Sequence, residues 1–275
     1  MSTLREKRKK ERRALRRRKT ADWTVVLILC AIAVCCGGYL IYHHWSVKQR
    51  ELEYEKLRQE ETLSAATEMV IAEPETEENT EETVIYCDPV YDFGQLHEQN
   101  EDIYAWIVVP GTQVDYPLLQ SETDNYYLDY NLDHSKGYPG CIYTNQCNRK
   151  DFSDYNTVLY GHNMKNGSMF AQLKKFTQDE ETYKKSKYFW IFTPEKNYRY
   201  EIISAYTTGV NSDTYTLFKG PGEEFEKYLE KIRGYSEIQT DAEGMNIKDK
   251  IITLSTCTGN EATRYVVQGK RVDTL

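Results

Sequence analysis

The sequence predicts a mainly β domain, an eight-stranded and mostly antiparallel β-barrel with peripheral helices, preceded by a single N-terminal transmembrane helix. Three observations predict it. Eight short runs rich in β-branched and aromatic residues lie between residues 105 and 268, residues 23–42 form one uncharged apolar stretch, and residues 73–83 form an acidic break between the two.

The first 22 residues carry 11 Lys and Arg against 3 acids, net +8, whereas the rest of the chain carries 24 against 40, net −16. So uneven a division assigns the two parts to different compartments. Residues 23–42, with the run from Val25 to Val34 at their centre, span about 30 Å as a helix at ~1.5 Å per residue, one bilayer crossing. The basic cluster on the N-terminal side predicts a cytoplasmic tail over residues 1–22, a signal-anchor helix over residues 23–45, and everything after Trp45 outside the cell membrane. Trp23, Tyr39, Tyr42 and Trp45 sit near the ends of the span, where amphipathic rings favour the interface. A cleaved signal peptide is the rival reading. Against it, the apolar run is long and is followed by bulky Tyr, His and Trp rather than an Ala-x-Ala-like site. The basic run explains itself as a topology signal, so no nucleic-acid partner is expected.

Residues 46–83 read as a helical stalk and an acidic linker. Glu, Lys, Arg and Gln dominate residues 47–63, and Leu52, Leu57 and Leu63 supply only a thin apolar face, which predicts a solvated helix. Residues 73–83 hold six Glu with Pro74 and no large apolar side chain, too little to bury for folding. The folded domain is expected over residues 84–275, ample for one core.

Within it, residues 105–119 read as two strands around Pro110-Gly111, and the prolines suggest edge positions. Residues 140–143, 157–160, 187–192, 198–206, 250–257 and 264–268 supply the other six strands. Two helices are expected among them. Residues 169–176 form a short one, and residues 221–233 a longer one with Pro and acids at its start, basic residues at its end, and Phe225, Leu229 and Ile232 at helical spacing.

The stretch Ile251-Ile-Thr-Leu-Ser-Thr-Cys257 is a strand that runs without a charge into a thiol, and Arg264 opens the next apolar run. A cysteine delivered by a rigid strand end beside a cation suits covalent catalysis, although an inert buried cysteine fits this strand equally well. His162 stands at the end of another β run, broken at Gly161. A thiol, an imidazole and a guanidinium at three strand tips predict one shared site.

Here the chain resembles the sortases, thiol transpeptidases of Gram-positive cell surfaces, whose signature is a strand ending Thr-Leu-x-Thr-Cys. Thr253, Leu254, Ser255, Thr256 and Cys257 match it, with the family histidine at His162 and the family arginine at Arg264. The resemblance runs from about Tyr91 to the C-terminus. The helix before the penultimate strand pair and the phrase Arg264-Tyr-Val-Val-Gln-Gly-Lys270 point to class B.

The resemblance implies that Cys257 is the nucleophile, His162 the acid and base, and Arg264 the group that orients the substrate carbonyl or stabilises the oxyanion. It also implies cleavage after Thr in the C-terminal sorting signal of a surface protein. The acyl group would then pass to an amine of the peptidoglycan precursor lipid II or, in some relatives, to a pilin lysine. Asn125 and Leu128, in Asp124-Asn-Tyr-Tyr-Leu128, resemble a segment that lines the signal groove, with ordinary packing as the other reading. Ser255 and Thr256 alternate in direction, so one of them faces the site. Arg271 is the fallback if Arg264 points away. Thr258 departs from a pattern that often has an acid there, and the Cys257 to Arg264 connection is short for the family.

No histidine has a ligand-like neighbourhood, so neither metal nor cofactor is expected. Cys30, Cys35 and Cys36 read as apolar filler of the span. Of Cys87, Cys141 and Cys147, a pairing of Cys141 with Cys147 stays open. An L,D-type transpeptidase would show a Ser-x-Gly-Cys block, which is absent. A tethered binding domain that does no chemistry is the second alternative.

Overall fold

The computed structural model describes residues 2–63, 91–242 and 244–274. The acidic run of residues 73–83, the expected domain start near Val84 and Cys87 lie outside the described residues. The chain divides into two compact units, residues 1–50 and 51–275.

The first unit is helical throughout its described length, as the N-terminal part of α1 (Ser2–Leu63). Part of that helix is long and apolar enough to cross a membrane, and none of its apolar window is buried. Val25, Leu27, Leu29, Val34 and Ile41 all stand exposed, the arrangement expected where lipid rather than protein surrounds a helix.

In the second unit the last turns of α1 are not a bare solvated stalk. Tyr54 is 4 % and Leu57 2 % exposed, both within the main core, while Leu52 of the expected face stands at 40 %. The docking stripe is therefore Tyr54 and Leu57, three residues apart on one face. Tyr54 donates to Gly140 O at 3.1 Å and meets the Tyr116 ring edge-on. Helix α2 (Phe93–Gln99) is capped by Asp92, which accepts from the backbone of Gly94 and Gln95 and so satisfies two orphan amides.

Eight strands close into a barrel: β1 (Ile103–Val109), β2 (Val114–Leu119), β3 (Ile142–Thr144), β4 (Asn156–Tyr160), β5 (Tyr188–Phe192), β6 (Asn197–Gly209), β7 (Ile251–Cys257) and β8 (Thr263–Thr274), in the order β1-β2-β3-β4-β7-β8-β6-β5. Six pairings are antiparallel, and β2 with β3 and β4 with β7 are parallel. Closure removes the open edges predicted from the prolines, yet the reason for that prediction survives locally. Pro110 forms the β1–β2 turn, and Pro117 pairs with Trp106 on one side while β2 meets β3 only at Leu118 and Leu119. A residue without an N–H thus sits where no second ladder asks for one.

Ile107, Leu118, Leu159, Phe189, Ile202, Leu254 and Val267 belong to one buried cluster, which Trp106 joins from the other face of β1, stacked on Tyr91. Residues 169–176 become a 3₁₀ turn (Ala171–Lys174) that leads into α4 (Lys175–Gln178), and α5 (Glu180–Lys185), which had no clear pattern in sequence, follows behind the Asp179 cap. A further short helix, α3 (Tyr126–Asp129), precedes β3. The longer predicted helix is α6 (Glu223–Tyr235), which buries Phe225, Tyr228, Leu229 and Ile232 against Ile203 and Ile251 in a second, smaller core. Burying that stripe on one face of the β6 and β7 strands is what holds α6 in place.

Candidate active site

The parallel pairing of β4 with β7 sets the site. Tyr160 lies level with Ser255, and Gly161 N donates to Ser255 O at 3.1 Å, so the chain leaves β4 at the level where β7 ends in Cys257. The next residue is His162. Asn163 Nδ2 donates to Cys257 O at 2.7 Å and ties the two strand ends together. On the other side of β7, Cys257 is the direct antiparallel partner of Arg264, which places their Cβ atoms about 4.5–5.5 Å apart. The three strand tips predicted from sequence therefore come to one end of the barrel. Cys257, His162 and Arg264 are all half-buried.

Gly161 is required by close approach. A Cβ there would stand 2.4 Å from Ile142 Cδ1 and 2.8 Å from the Phe170 ring, so the strand break that presents His162 admits no side chain. The imidazole is oriented by a backbone carbonyl: His162 Nε2 donates to Leu128 O at 2.7 Å. Because a carbonyl only accepts, the proton belongs on Nε2, and Nδ1 is left as the basic nitrogen. The Tyr138 ring lies 5.1 Å from the imidazole, tilted by 58°.

Arg264 Nη1 donates to Glu261 O at 3.1 Å and to Thr263 O at 2.9 Å. Nη2 and Nε have no partner among the described residues. The short connection to β8 is held by Thr258, whose hydroxyl lies 2.5 Å from the Thr263 hydroxyl.

Of the residues expected at the groove, Leu128 supplies the carbonyl that holds His162 and packs partly against the core, while exposed Asn125 accepts from Tyr143 OH at 2.9 Å. Ser255 shares the Cys257 face of β7 and meets Tyr215 OH at 2.9 Å. Thr256 is on the opposite face with Leu254, buried, and its hydroxyl has no partner among the described residues. Arg271 is far from this end: its N–H donates to Lys250 O at the start of β7, while Cys257 closes the other end of that strand. Cys141 and Cys147 form no disulfide with each other, and the first is buried and donates to Tyr130 O at 3.6 Å.

Three tyrosines that the sequence did not single out surround the thiol. Tyr143 and Tyr160 lie ring to ring at 5.4 Å, and Tyr160 and Tyr215 stack at 6.4 Å. Burial raises all three phenols, Tyr215 to about 12, with the Ser255 hydrogen bond and Arg264 pulling the other way for that residue. Among 23 tyrosines no periodicity marks these three.

A family model described as Sortase domain matches residues 107–272. Sortase B of Listeria monocytogenes is 38 % identical over 182 residues, covering 64 % of this chain and 72 % of that protein. Among solved structures, the Staphylococcus aureus sortase B-substrate complex superposes with a TM-score of 0.67 at 27 % identity, over 82 % of this chain and 97 % of that one. Clostridium perfringens sortase B gives 0.60 at 33 % identity, over 66 % of this chain and all of that one.

Proposed function

The chain belongs to the sortase family of cysteine transpeptidases, in its class B branch, and from that premise we propose that Cys257, His162 and Arg264 carry the reaction on a sorting signal cleaved after Thr. The observation that supports the assignment is the register. Cys257 faces Arg264 across β7 and β8, and the Asn163 tie holds the end of β4 beside it.

The Cys257 thiolate attacks the Thr carbonyl carbon, and the C=O electron pair moves onto oxygen. Nη2 and Nε of Arg264 donate to that oxyanion while Nη1 keeps the side chain anchored to its loop. Protonated His162 gives its Nδ1 proton to the leaving amine, the C–N bond breaks, and a thioester to Cys257 remains. The Nε2–H to Leu128 O bond persists in both protonation states, so the ring does not turn as the proton moves. An acceptor amine then attacks the thioester, returns its proton to Nδ1 and releases the thiolate. The acceptor we propose is an amine of the wall precursor lipid II.

Tyr143, Tyr160 and Tyr215 offer flat aromatic walls on the Cys257 side, with Asn125 and Ser255 as polar contacts for the peptide. In this reading residues 1–22 are the cytoplasmic tail and residues 23–45 the anchor, and the catalytic domain, together with the end of α1 that packs on it, lies outside the cell. A membrane-impermeant lysine reagent on intact cells should mark the catalytic domain and spare the tail.

The test of the chemistry uses the full chain in neutral detergent micelles and a thiol-reactive sorting-signal mimic. Cys257 should be the labelled residue, and Cys257→Ala should abolish both labelling and transfer. Offering lipid II and a pilin lysine peptide in parallel identifies the acceptor. Turnover retained in Cys257→Ala would remove the mechanism, and a folded chain left unmarked by the mimic would indicate a binding domain.

A further inference from the structure

The end of the barrel opposite Cys257 carries a cleft of about 570 Å³ whose lining includes Lys150, Lys196, Lys250 and Arg271. Four cations converge there in a chain whose residues after the tail carry a net charge of −16. None of the four takes part in an ion pair among the described residues. Three of them rest on aromatic faces. Lys150 Nζ lies 5.5 Å from the Tyr104 ring centroid, Lys250 Nζ 3.4 Å from that of Tyr155, and the Arg271 guanidinium 5.1 Å from that of Tyr198. Arg271 Nη1 also donates to Phe152 O at 3.4 Å.

The nearby acids offset the four cations only in part, since each has other partners or stands in solvent. Asp151 is engaged by Ser153, whose backbone N–H donates to it at 2.9 Å, and Asp154 is held by Arg149 and Asn148. Glu195 lines the rim and is exposed. Burial and then the positive charge of Arg271 hold the Lys250 amine below its usual value, with Asp154 and Asp151 pulling more weakly the other way.

We propose that this cleft is an anion-binding site that takes a phosphate group, with Arg271 and Lys250 as its floor and Lys150 and Lys196 closing over it. Arg271 offers a planar fork matched to phosphate oxygens, and the lysines add point charges on flexible stems. The tyrosine faces hold Lys150, Lys250 and Arg271 in position before the ligand arrives, which lowers the ordering cost of binding. Two sources supply this chemistry outside a cell, an anionic lipid headgroup and a soluble phosphate. The site lies away from the thiol, so it rests on no part of the transfer mechanism.

The experiment titrates the full chain with inorganic phosphate at constant ionic strength, in nanodiscs of phosphatidylcholine alone and in discs that also contain phosphatidylglycerol. Saturable binding should appear in the neutral discs and weaken at least tenfold in Lys250→Gln/Arg271→Gln, with the same melting transition by circular dichroism. Glu195→Gln removes a competing negative charge and should tighten binding severalfold. Phosphate binding weakened by phosphatidylglycerol assigns the site to a headgroup, and binding unchanged by it assigns a soluble phosphate. Absence of saturable binding in the neutral discs overturns the proposal, as does binding of equal strength in the folded double variant.

Discussion

At the scale of single residues, the geometry around Cys257 separates groups that a motif treats alike. Arg264 is anchored through Nη1 and presents its remaining donors in a plane, a shape that lysine cannot copy. Arg264→Lys should lose about 1.5–3 kcal/mol of transition-state stabilisation, on the order of ten- to a hundredfold in kcat/KM. Equal rates for the two side chains in a steady-state transfer assay would exclude a planar, two-donor role. Tyr215 is raised to about 12, chiefly by burial. The sign is that of a group whose neutral form is favoured, so the phenol keeps its proton throughout the working range and only charges above about pH 12. Tyr215→Phe should therefore lower kcat/KM through the lost Ser255 contact while leaving the alkaline limb of the pH–rate profile in place. A displaced limb would show that the phenol titrates in the reaction. Ser255 and Thr256 show the same resolving power: they are sequence neighbours, and pleating sends one to the site and the other to the core.

At the scale of elements, a buried polar chain ties the strands of the site to the segment that carries Tyr215. Gln268 on β8 donates to Thr253 Oγ1 and Tyr228 OH, each at 2.8 Å, and accepts from Ser204 and Tyr206, each at 3.0 Å. Thr253 donates to Asn156 Oδ1 at 2.8 Å, and Asn156 Nδ2 donates to Thr214 O at 3.0 Å and Thr216 O at 3.1 Å, on either side of Tyr215. Such a network stabilises only when complete, because each orphaned buried group costs about 1–3 kcal/mol. Asn156→Ala leaves the Thr214 and Thr216 carbonyls without that amide and should lower unfolding free energy by about 2–4 kcal/mol in a urea titration, with a fall in transfer rate as Tyr215 loosens. A stable Asn156→Ala protein with normal turnover would show that the segment is held by other means. On α6, Phe225 is fully buried against Tyr155, Phe218 and Tyr228. Phe225→Ala should cost about 3–5 kcal/mol by the same measurement; a loss below about 1 kcal/mol would mean that the helix does not depend on that side chain.

At the scale of the whole molecule, buried tyrosines govern the response to alkali. Burial holds the phenols of Tyr200, Tyr206 and Tyr228 well above their ordinary value, whereas the unfolded chain releases those protons near pH 10. The unfolded state then binds fewer protons than the folded one, so stability is intact below pH 10 and falls above it. The slope is about 1.4 kcal/mol per pH unit for each such residue, and three together exhaust a typical margin of roughly 5–15 kcal/mol within a few units. Thermal midpoints measured from pH 8 to 12 should be level to about pH 10 and then drop steeply. A profile that stays level to pH 12 would show that these phenols are not protected.

Much of this architecture is written in local pattern. Alternation and β-branched runs marked all eight strands, the spacing of Phe225, Leu229 and Ile232 marked α6, and an uncharged run marked the apolar helix, because each depends on residues near one another in the chain. The family was legible for the same reason, as a short motif at a strand end, and the roles proposed for Cys257, His162 and Arg264 rest on residues read in the same way. What waited for the tertiary structure was every relation between distant segments: the parallel register that brings residue 162 level with Cys257, the tyrosines at 143, 160 and 215 that meet around it, and the docking of Tyr54 and Leu57 onto the core. Arg264 and Arg271 stand seven residues apart on one strand and look alike in sequence. Strand direction alone sends one to the thiol and the other to a basic cleft at the far end of the barrel, since position along a strand becomes position in space only after its partners have paired.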